Sequence, residues 1–173
     1  MKVVNIHKRV ILQPKAEVWK LFQTLATKAD KVWPQEHLPP MRFKEGLNQV
    51  NKGGHGPIRY TVHKYVPEEC IHFKFYRPKG FNGIHGLELT SLSENKTEIR
   101  HVVDMRTSGL DILKWLFVIR WLHDAVVEDA LDKIETHFSG QPKSNNWSFW
   151  VRFWRYLLKP NGNQPKYTKT LTR

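Results

Sequence analysis

The sequence contains one cysteine, Cys70, and no long uninterrupted apolar run. A single cysteine cannot form an intrachain disulfide, so nothing points to an oxidising compartment. The most hydrophobic window, 112–122, is interrupted by Lys114 and Arg120 and falls short of the roughly 20 residues that a membrane-spanning helix needs. Residues 1–15 lack the apolar core of a secretory signal. We therefore expect a cytoplasmic protein without a transmembrane helix.

The signatures of several enzyme classes are also missing. No G-x-S-x-G motif marks a serine nucleophile. The glycine-rich segment 53–56 lacks the Lys and Ser/Thr of a phosphate-binding loop and is interpreted as a flexible hairpin loop. No spacing of histidines or cysteines supplies three metal ligands. We therefore assign no catalytic residue, no metal and no cofactor.

Acidic residues are absent from the last 35 positions, which carry seven of the 28 Lys and Arg residues. The formal net charge of +12 is thus divided into +5 before Ser139 and +7 after it. The hydrophobic content of 40% is sufficient for a core. We predict one globular domain over residues 1–138 and a basic, aromatic-rich extension over residues 139–173.

Alternation of polar and apolar residues predicts the strands. Apolar residues of one parity near the N-terminus predict a half-buried strand with these side chains inward: Val4, Ile6, Val10 and Leu12. Turn residues separate five further predicted strands, at about 41–46, 58–66, 70–76, 83–91 and 97–106. The simplest topology is an antiparallel meander.

Two helices accompany these strands. Pro14 begins an amphipathic helix over about 15–25. A proline-rich connection over 33–40 follows, and we expect it to cover the mouth of a cavity near Trp33. A long helix runs from Ser108 to about Phe138, and its apolar stripe consists of Val127, Leu131, Ile134 and Phe138. Such a stripe needs an apolar sheet surface to cover.

This order of elements resembles the helix-grip superfamily, which joins START lipid-transfer domains, birch-pollen-allergen-like proteins and polyketide cyclase/dehydratase-like (SRPBCC) proteins. The resemblance covers about residues 3–138 and is carried by the first strand and residues 13–19, by 80–83, by 96–99 and by the long helix. It implies an α+β helix-grip fold, in which a curved antiparallel sheet wraps around a long C-terminal helix and encloses a ligand cavity. The activities of the superfamily vary, so the fold does not fix the function.

The last two strands place two histidines on the face that the helix covers. A hairpin closing at Glu94 pairs Leu89 with Ile99 and Leu87 with His101, with His85 diagonal to His101. We predict that both histidines hydrogen-bond the polar head of an apolar ligand. The alternative is that they are core-edge histidines satisfied by backbone or water. The predicted ligand-binding residues are Trp33, Tyr60, Val62, Phe73, Phe75, His85, Leu87, His101, Val103, Met105 and His123.

The predicted function is binding of a hydrophobic or amphipathic small molecule, such as a lipid or a polyketide-like compound. One alternative is a cyclase- or dehydratase-like enzyme in which His85 or His101 acts as general base beside Tyr60. Another is an interaction module in which the extension mediates homodimerisation. The sequence leaves these alternatives open.

The extension has its own predicted contacts. From Trp147 to Lys159, aromatic residues recur at intervals of three and four beside a narrower cationic face. A basic aromatic helix suits a membrane interface, and the predicted contact residues are Trp147, Trp150, Arg152, Trp154, Arg155 and Lys159. The alternative is that the segment packs on the domain or on a second copy. Nucleic acid is disfavoured, because no recognised RNA-binding motif is present. We expect a cytoplasmic, membrane-peripheral location if the membrane hypothesis holds.

Overall fold

One antiparallel sheet of seven strands dominates the computed structural model, which describes residues 1–47, 50–143 and 145–157. The strands are β1 Lys2–Ile11, β2 Arg42–Phe43, β3 Lys52–His55, β4 Ile58–Val66, β5 Cys70–Arg77, β6 Phe81–Ser93 and β7 Lys96–Thr107. Their order in the sheet is β1-β7-β6-β5-β4-β3-β2. The chain therefore forms a meander from β2 to β7, and β1 pairs with the last strand of that meander.

The helices lie at both ends of the chain. Helix α1 spans Lys15–Phe22, and the long helix comprises α2 Asp111–Lys114, a π-helical turn Trp115–Ile119 and α3 Arg120–Ser139. A further helix, α4, spans Phe149–Leu157. The predicted long helix is thus present, but the sequence did not reveal its π turn.

The π turn aligns three side chains. In a regular α-helix, two side chains four residues apart differ by about 400° around the axis. Each therefore points about 40° away from the side chain four residues before it. A π turn is wider and rotates less per residue, which offsets that drift. Trp115, Ile119 and His123 consequently face the same cavity.

The predicted packing of the long helix and the register of the last hairpin are confirmed. Val127, Leu131 and Ile134 are buried against the sheet in the main hydrophobic core. In the β6–β7 pair, Leu89 lies opposite Ile99 and Leu87 lies opposite His101. Both features follow from local periodicity, which is the most direct signal in a sequence.

The prediction for the inward face of β1 was wrong. The four apolar residues assigned to it, Val4, Ile6, Val10 and Leu12, are exposed. The opposite parity faces α3 instead, with Asn5, His7 and Arg9 between the buried ends of the strand. Two residues of a strand advance about 6.7 Å and four residues of a helix about 6 Å, so alternate residues of β1 match residues four apart on α3.

Carboxylates on α3 pair with this polar face. Arg9 donates to Glu128, Asp132 and Glu135 at 2.9, 2.8 and 2.6 Å. The pairing compensates the partial burial of charged groups and explains why polar residues turn inward here.

Most of the glycine-rich segment 53–56 belongs to a strand, and only Gly56 lies in the predicted hairpin turn. Gly53 and Gly54 belong to β3, and the strand predicted at 41–46 is reduced to β2. Gly54 has φ +149°, and a Cβ there would lie 2.1 Å from the carbonyl oxygen of Ile58. The glycine is therefore needed for the close approach of β3 to β4 and does not mark a flexible loop.

Candidate functional site

A cavity of about 100 Å³ lies between the concave face of the sheet and the long helix. The sheet wall is lined by Phe73, Phe75, Phe81, His85, Leu87, His101 and Val103. The helix wall is lined by Trp115, Ile119, His123, Val126, Val127, Ala130, Leu131 and Ile134. The loop after α1 contributes Leu25, Val32, Trp33 and Met41. The lining is thus mainly apolar, with histidines on both walls.

Eight of the eleven predicted ligand-binding residues line this cavity, namely Trp33, Phe73, Phe75, His85, Leu87, His101, Val103 and His123. The other three, Tyr60, Val62 and Met105, are buried elsewhere in the core. The Tyr60 hydroxyl lies 3.0 Å from Nδ1 of His55, within hydrogen-bonding distance. Period-2 spacing identifies the inner face of the sheet, but it does not separate residues beside the void from those that fill the core.

Several residues that line the cavity were not predicted from the sequence. His55 lies in the glycine-rich strand that was interpreted as a loop, and Trp115 is the first residue of the π turn, which the sequence did not reveal. Ala130 has too small a side chain to stand out in a pattern of apolar residues. Of these residues, His55 could have been predicted, because it stands between glycines directly before a predicted strand.

Four histidines form a row that runs from the cavity to the edge of the sheet. The ring centroids are 6.1 Å apart between His85 and His101, 5.0 Å between His101 and His123, and 6.1 Å between His123 and His7. At the inner end, Phe75 stacks on His85 at 4.6 Å. The row connects β6, β7, α3 and β1.

The inner part of the row is neutral near pH 7. Burial lowers the pKa of His85, His101 and His123 below the ordinary histidine value. Burial also lowers the pKa of His55 to about 3. The cavity therefore offers imidazoles, each with one donor and one acceptor nitrogen, and no imidazolium.

The outer end of the row, at His7, contacts carboxylates. A hydrogen bond to Asp124 raises the pKa of His7, although burial opposes it. Burial alone would raise the pKa of Asp124, but hydrogen bonds with His123 and His7 outweigh that effect and lower it. The polarity of the row thus increases from the cavity towards the β1 edge.

Each inner histidine has a nitrogen without a partner. Nε2 of His85, Nδ1 of His101 and Nε2 of His123 are buried and form no hydrogen bond within the described part of the chain. A buried polar atom without a partner costs about 1–3 kcal/mol. A polar ligand group that pairs with one of them would recover part of this cost.

The loop that carries Trp33 is held in place by hydrogen bonds. Asp30 Oδ1 accepts from the backbone N–H groups of Val32 and Trp33, both at 2.8 Å. The Trp33 indole donates to the carbonyl of Pro39 at 3.0 Å, and its ring lies 4.6 Å from that of His55. Trp33 therefore forms part of the cavity wall, while its role as a lid stays a prediction.

The described part of the extension packs on α3. The Trp147 indole donates to Asp129 at 3.0 Å, and Arg155 donates to the same carboxylate at 2.6 Å. Trp154 is partly buried, whereas Trp150 and Arg152 are exposed, and Lys159 lies outside the described residues. The predicted contact residues thus divide between the α3 interface and the surface. The division of the chain at residue 138 stays a prediction.

Within the described ranges, no helix combines the length and apolar character that a bilayer crossing requires.

Comparisons with known proteins relate the chain to others through structure. No protein-family model matches the sequence, and neither does any curated protein. A solved structure of a protein from Nitrosospira multiformis aligns with a TM-score of 0.60 at 13% identity, over 79% of this chain and 97% of that one. Ara h 8.0201 aligns with a TM-score of 0.55 at 9% identity, over 82% of this chain and 100% of that one.

An enzyme is among the similar structures. Norcoclaurine synthase from Thalictrum flavum, solved with dopamine and hydroxybenzaldehyde, aligns with a TM-score of 0.59 at 11% identity, over 83% of this chain and 90% of the enzyme. At such low identities the likeness is one of fold. The helix-grip fold implied by the sequence resemblance is confirmed.

Proposed function

We propose that the protein binds a compact, mainly apolar small molecule with a polar group in the cavity between the sheet and the long helix. The observation that carries this proposal is the combination of an apolar cavity with neutral histidines whose buried nitrogens His85 Nε2 and His101 Nδ1 have no partner among the described residues. Apolar burial supplies the driving force, about 25 cal/mol per Å², and the polar group sets the orientation.

The free volume of about 100 Å³ favours a ligand of one ring over a complete lipid chain. A cavity of about 150 Å³ in another protein accommodates benzene. A lipid or a larger polyketide-like compound would require the cavity to widen. The first experiment is therefore native mass spectrometry of the purified protein, followed by extraction and identification of any compound that co-purifies.

A one-ring probe tests the site directly. Hydroxybenzaldehyde, the compound present in the solved norcoclaurine synthase complex, is titrated into the protein by calorimetry. Ala130→Leu places three additional carbons in the cavity, whereas Ala16→Leu makes the same change on the exposed face of α1. We expect Ala16→Leu to bind like the wild type and Ala130→Leu to bind at least about tenfold more weakly. Equal affinities of the two variants would contradict the proposal.

Catalysis in the same cavity is a second candidate, because His85 and His101 line it and each has a buried nitrogen without a partner among the described residues. Burial lowers the pKa of both histidines, so they are neutral but weak bases. Tyr60, the predicted partner, lies with its ring 4.7 Å from that of His85 but does not line the cavity. If the enzyme hypothesis holds, replacing both histidines with Gln abolishes turnover of the extracted compound and spares its affinity. Intact turnover would exclude it, and His63→Gln on the exposed side of β4 is the control.

A membrane contact is a further candidate, on a surface shifted from the predicted one. The α2 and π-helical region exposes Leu113, Leu116 and Phe117, and α4 exposes Phe149 and Phe153. The two groups meet where the Trp150 indole donates to the carbonyl of Phe117 at 3.0 Å. Exposed Lys114, Arg120 and Arg152 add positive charge to this surface. The combination suits an anionic bilayer.

Cosedimentation with phosphatidylserine-containing vesicles tests this contact. We expect binding that weakens with salt and is lost in a Phe117→Ser, Phe149→Ser double variant. Leu12→Ser removes an exposed apolar residue elsewhere and serves as the control. If the double variant binds vesicles as well as the wild type does, the proposed membrane contact is wrong. A molecular mass of twice the chain mass in the absence of vesicles would favour homodimerisation instead.

A further inference from the structure

We propose that a divalent transition-metal ion such as Zn²⁺ binds at the seam between β1 and α3, held by His7, His123 and Asp124. One donor atom from each of these side chains lies within 4.8 Å of the others. His7 is brought to the site by the inward parity of β1, and the other two residues lie near the start of α3. The proposal does not depend on whether the cavity takes a ligand.

The donor spacing is the first argument. Asp124 Oδ1 is 3.3 Å from His7 Nε2 and 3.4 Å from His123 Nδ1. These two hydrogen bonds are long, since a charge-assisted hydrogen bond of optimal length measures about 2.7–2.9 Å. Two donors bound tetrahedrally to zinc at about 2.0–2.1 Å lie about 3.3–3.4 Å apart. The distances from Asp124 Oδ1 to the two histidine nitrogens thus match those between ligands of one zinc ion.

The second argument is the support behind the ligands. His7 Nδ1 lies 2.6 Å from Glu128 Oε1, and the other oxygen of Glu128 accepts from Arg9 at 2.9 Å. A metal-bound histidine almost always donates its second N–H to a carboxylate or carbonyl, which directs the other nitrogen at the metal. Asn5 Nδ2 donates to Asp124 Oδ1 at 2.9 Å and fixes the position of that oxygen, which has a second lone pair for an ion.

The third argument is access together with ligand type. The side chains of His7 and His123 are 14% and 17% exposed, and that of Asp124 is 32% exposed, which leaves a path for an ion and for water. Two imidazoles and one carboxylate suit zinc and its neighbours better than magnesium or calcium. Three protein ligands leave one position open. Because His123 also lines the cavity, the ion would fix part of the cavity wall.

Metal titration of the tag-free, chelator-treated protein tests the site. Co²⁺ reports four-coordinate binding through its visible absorption, and calorimetry with Zn²⁺ gives stoichiometry and affinity. We expect one ion per chain and a loss of at least about 100-fold in affinity in His7→Gln and in Asp124→Asn. Glu128→Gln leaves the three ligands in place but changes the partner of His7 Nδ1, and it should weaken binding by about 10- to 100-fold. His63→Gln, an exposed histidine distant from the seam in the sheet, should change nothing.

A structural side effect can be separated from loss of a ligand. Zinc should raise the thermal midpoint of the wild type and of His63→Gln, because it binds the folded state, but not that of His7→Gln. His7 lies on the edge strand, so its replacement leaves the main core intact. Wild-type affinity in both His7→Gln and Asp124→Asn, or a wild-type protein that binds no Co²⁺ or Zn²⁺ at micromolar concentration, would overturn the proposal.

Discussion

Arg9 faces three carboxylates of α3, and its replacement is expected to destabilise the fold. Arg9→Met removes one of the partners of Glu128, Glu135 and the buried Asp132. Breaking a fully buried ion pair costs about 3–5 kcal/mol. Because the Arg9 side chain is 21% exposed, we expect a smaller loss of about 2 kcal/mol in the free energy of unfolding. Urea unfolding at neutral pH measures it.

Lys8 provides the matched control on the opposite face of β1. It pairs with Glu98 at 3.1 Å, and its side chain is 55% exposed. Lys8→Met should cost less than about 0.5 kcal/mol, since exposed pairs contribute little. Similar losses in Lys8→Met and Arg9→Met would show that β1 is not held by its inward polar face.

His55 should make the protein acid-sensitive. Burial lowers its pKa from 6.5 to about 3. Between these two pH values His55 is protonated in the unfolded chain and neutral in the folded chain. The stability that His55 contributes is present above pH 6.5 and is lost as the pH falls towards 3, by up to about 1.4 kcal/mol per pH unit. Tyr60 and Trp33 contact the ring, and the charge of Arg59 adds to the effect.

Urea unfolding between pH 4.5 and 7.5 tests this dependence in the wild type and in His55→Gln. The variant should lose stability less steeply below pH 6.5, because Gln does not titrate. His7 acts in the opposite sense, since its raised pKa adds stability that is lost as the pH rises through that value. Parallel slopes for the wild type and His55→Gln would show that His55 does not carry the acid sensitivity, and exposed His63→Gln is the control.

At the scale of elements, the strands and helices that could be predicted are those whose burial follows from their own periodicity. The apolar stripe of α3 and the β6–β7 register depend on neighbours close in sequence. The inward face of β1 depends on α3, more than 100 positions away, which turns Arg9 inward and Val10 outward. Apolar alternation alone selected the wrong face, because the partner of that strand is polar.

In the candidate site as well, contacts between residues distant in sequence could not be predicted. The histidines of β6 and β7 could be placed on the covered face, since hairpin register fixes them. His7 could not, because its contact with Asp124 joins two elements at opposite ends of the domain. The π turn and the glycine strand were missed for a different reason: both depart from the regular periods on which sequence patterns depend.

Asp129 of α3 accepts hydrogen bonds from two side chains of the extension, Trp147 and Arg155. The side chains of Arg155 and Asp129 are 14% and 10% exposed, so the pair is shielded from solvent. Asp129→Ala removes the acceptor of both Trp147 and Arg155 and should raise the population of detached α4 by about tenfold, for a loss of about 1.4 kcal/mol. Trypsin cleavage after Lys143 then accelerates by the same factor, since proteolysis follows the open population.

Glu36→Ala is the control for this experiment. Glu36 pairs with Lys133 of α3 at 3.2 Å, but its side chain is 52% exposed. We expect its cleavage rate to match that of the wild type. If Asp129→Ala is cleaved no faster than Glu36→Ala, the extension is held by its apolar contacts and not by the Asp129 pairs.

At the scale of the whole molecule, the cavity joins parts of the chain that otherwise belong to separate layers. Its walls come from the sheet, the long helix and the loop that carries Trp33. A ligand in such a position contacts all three, so it cannot be retained when any one of them opens. Binding should therefore stabilise the global fold and not only one local segment.

The thermal midpoint measures this coupling. At a hydroxybenzaldehyde concentration of about 100 times Kd, binding adds about 2.7 kcal/mol, which for a chain of this size corresponds to a rise of about 5–11 °C. Hydrogen exchange should slow in β5 to β7 and in α3 together. Both effects should be smaller in Ala130→Leu at the same probe concentration, because its added carbons occupy the space that the probe needs. Protection confined to the Trp33 loop would mean that the probe binds at the mouth of the cavity and leaves the interface between sheet and helix unfilled.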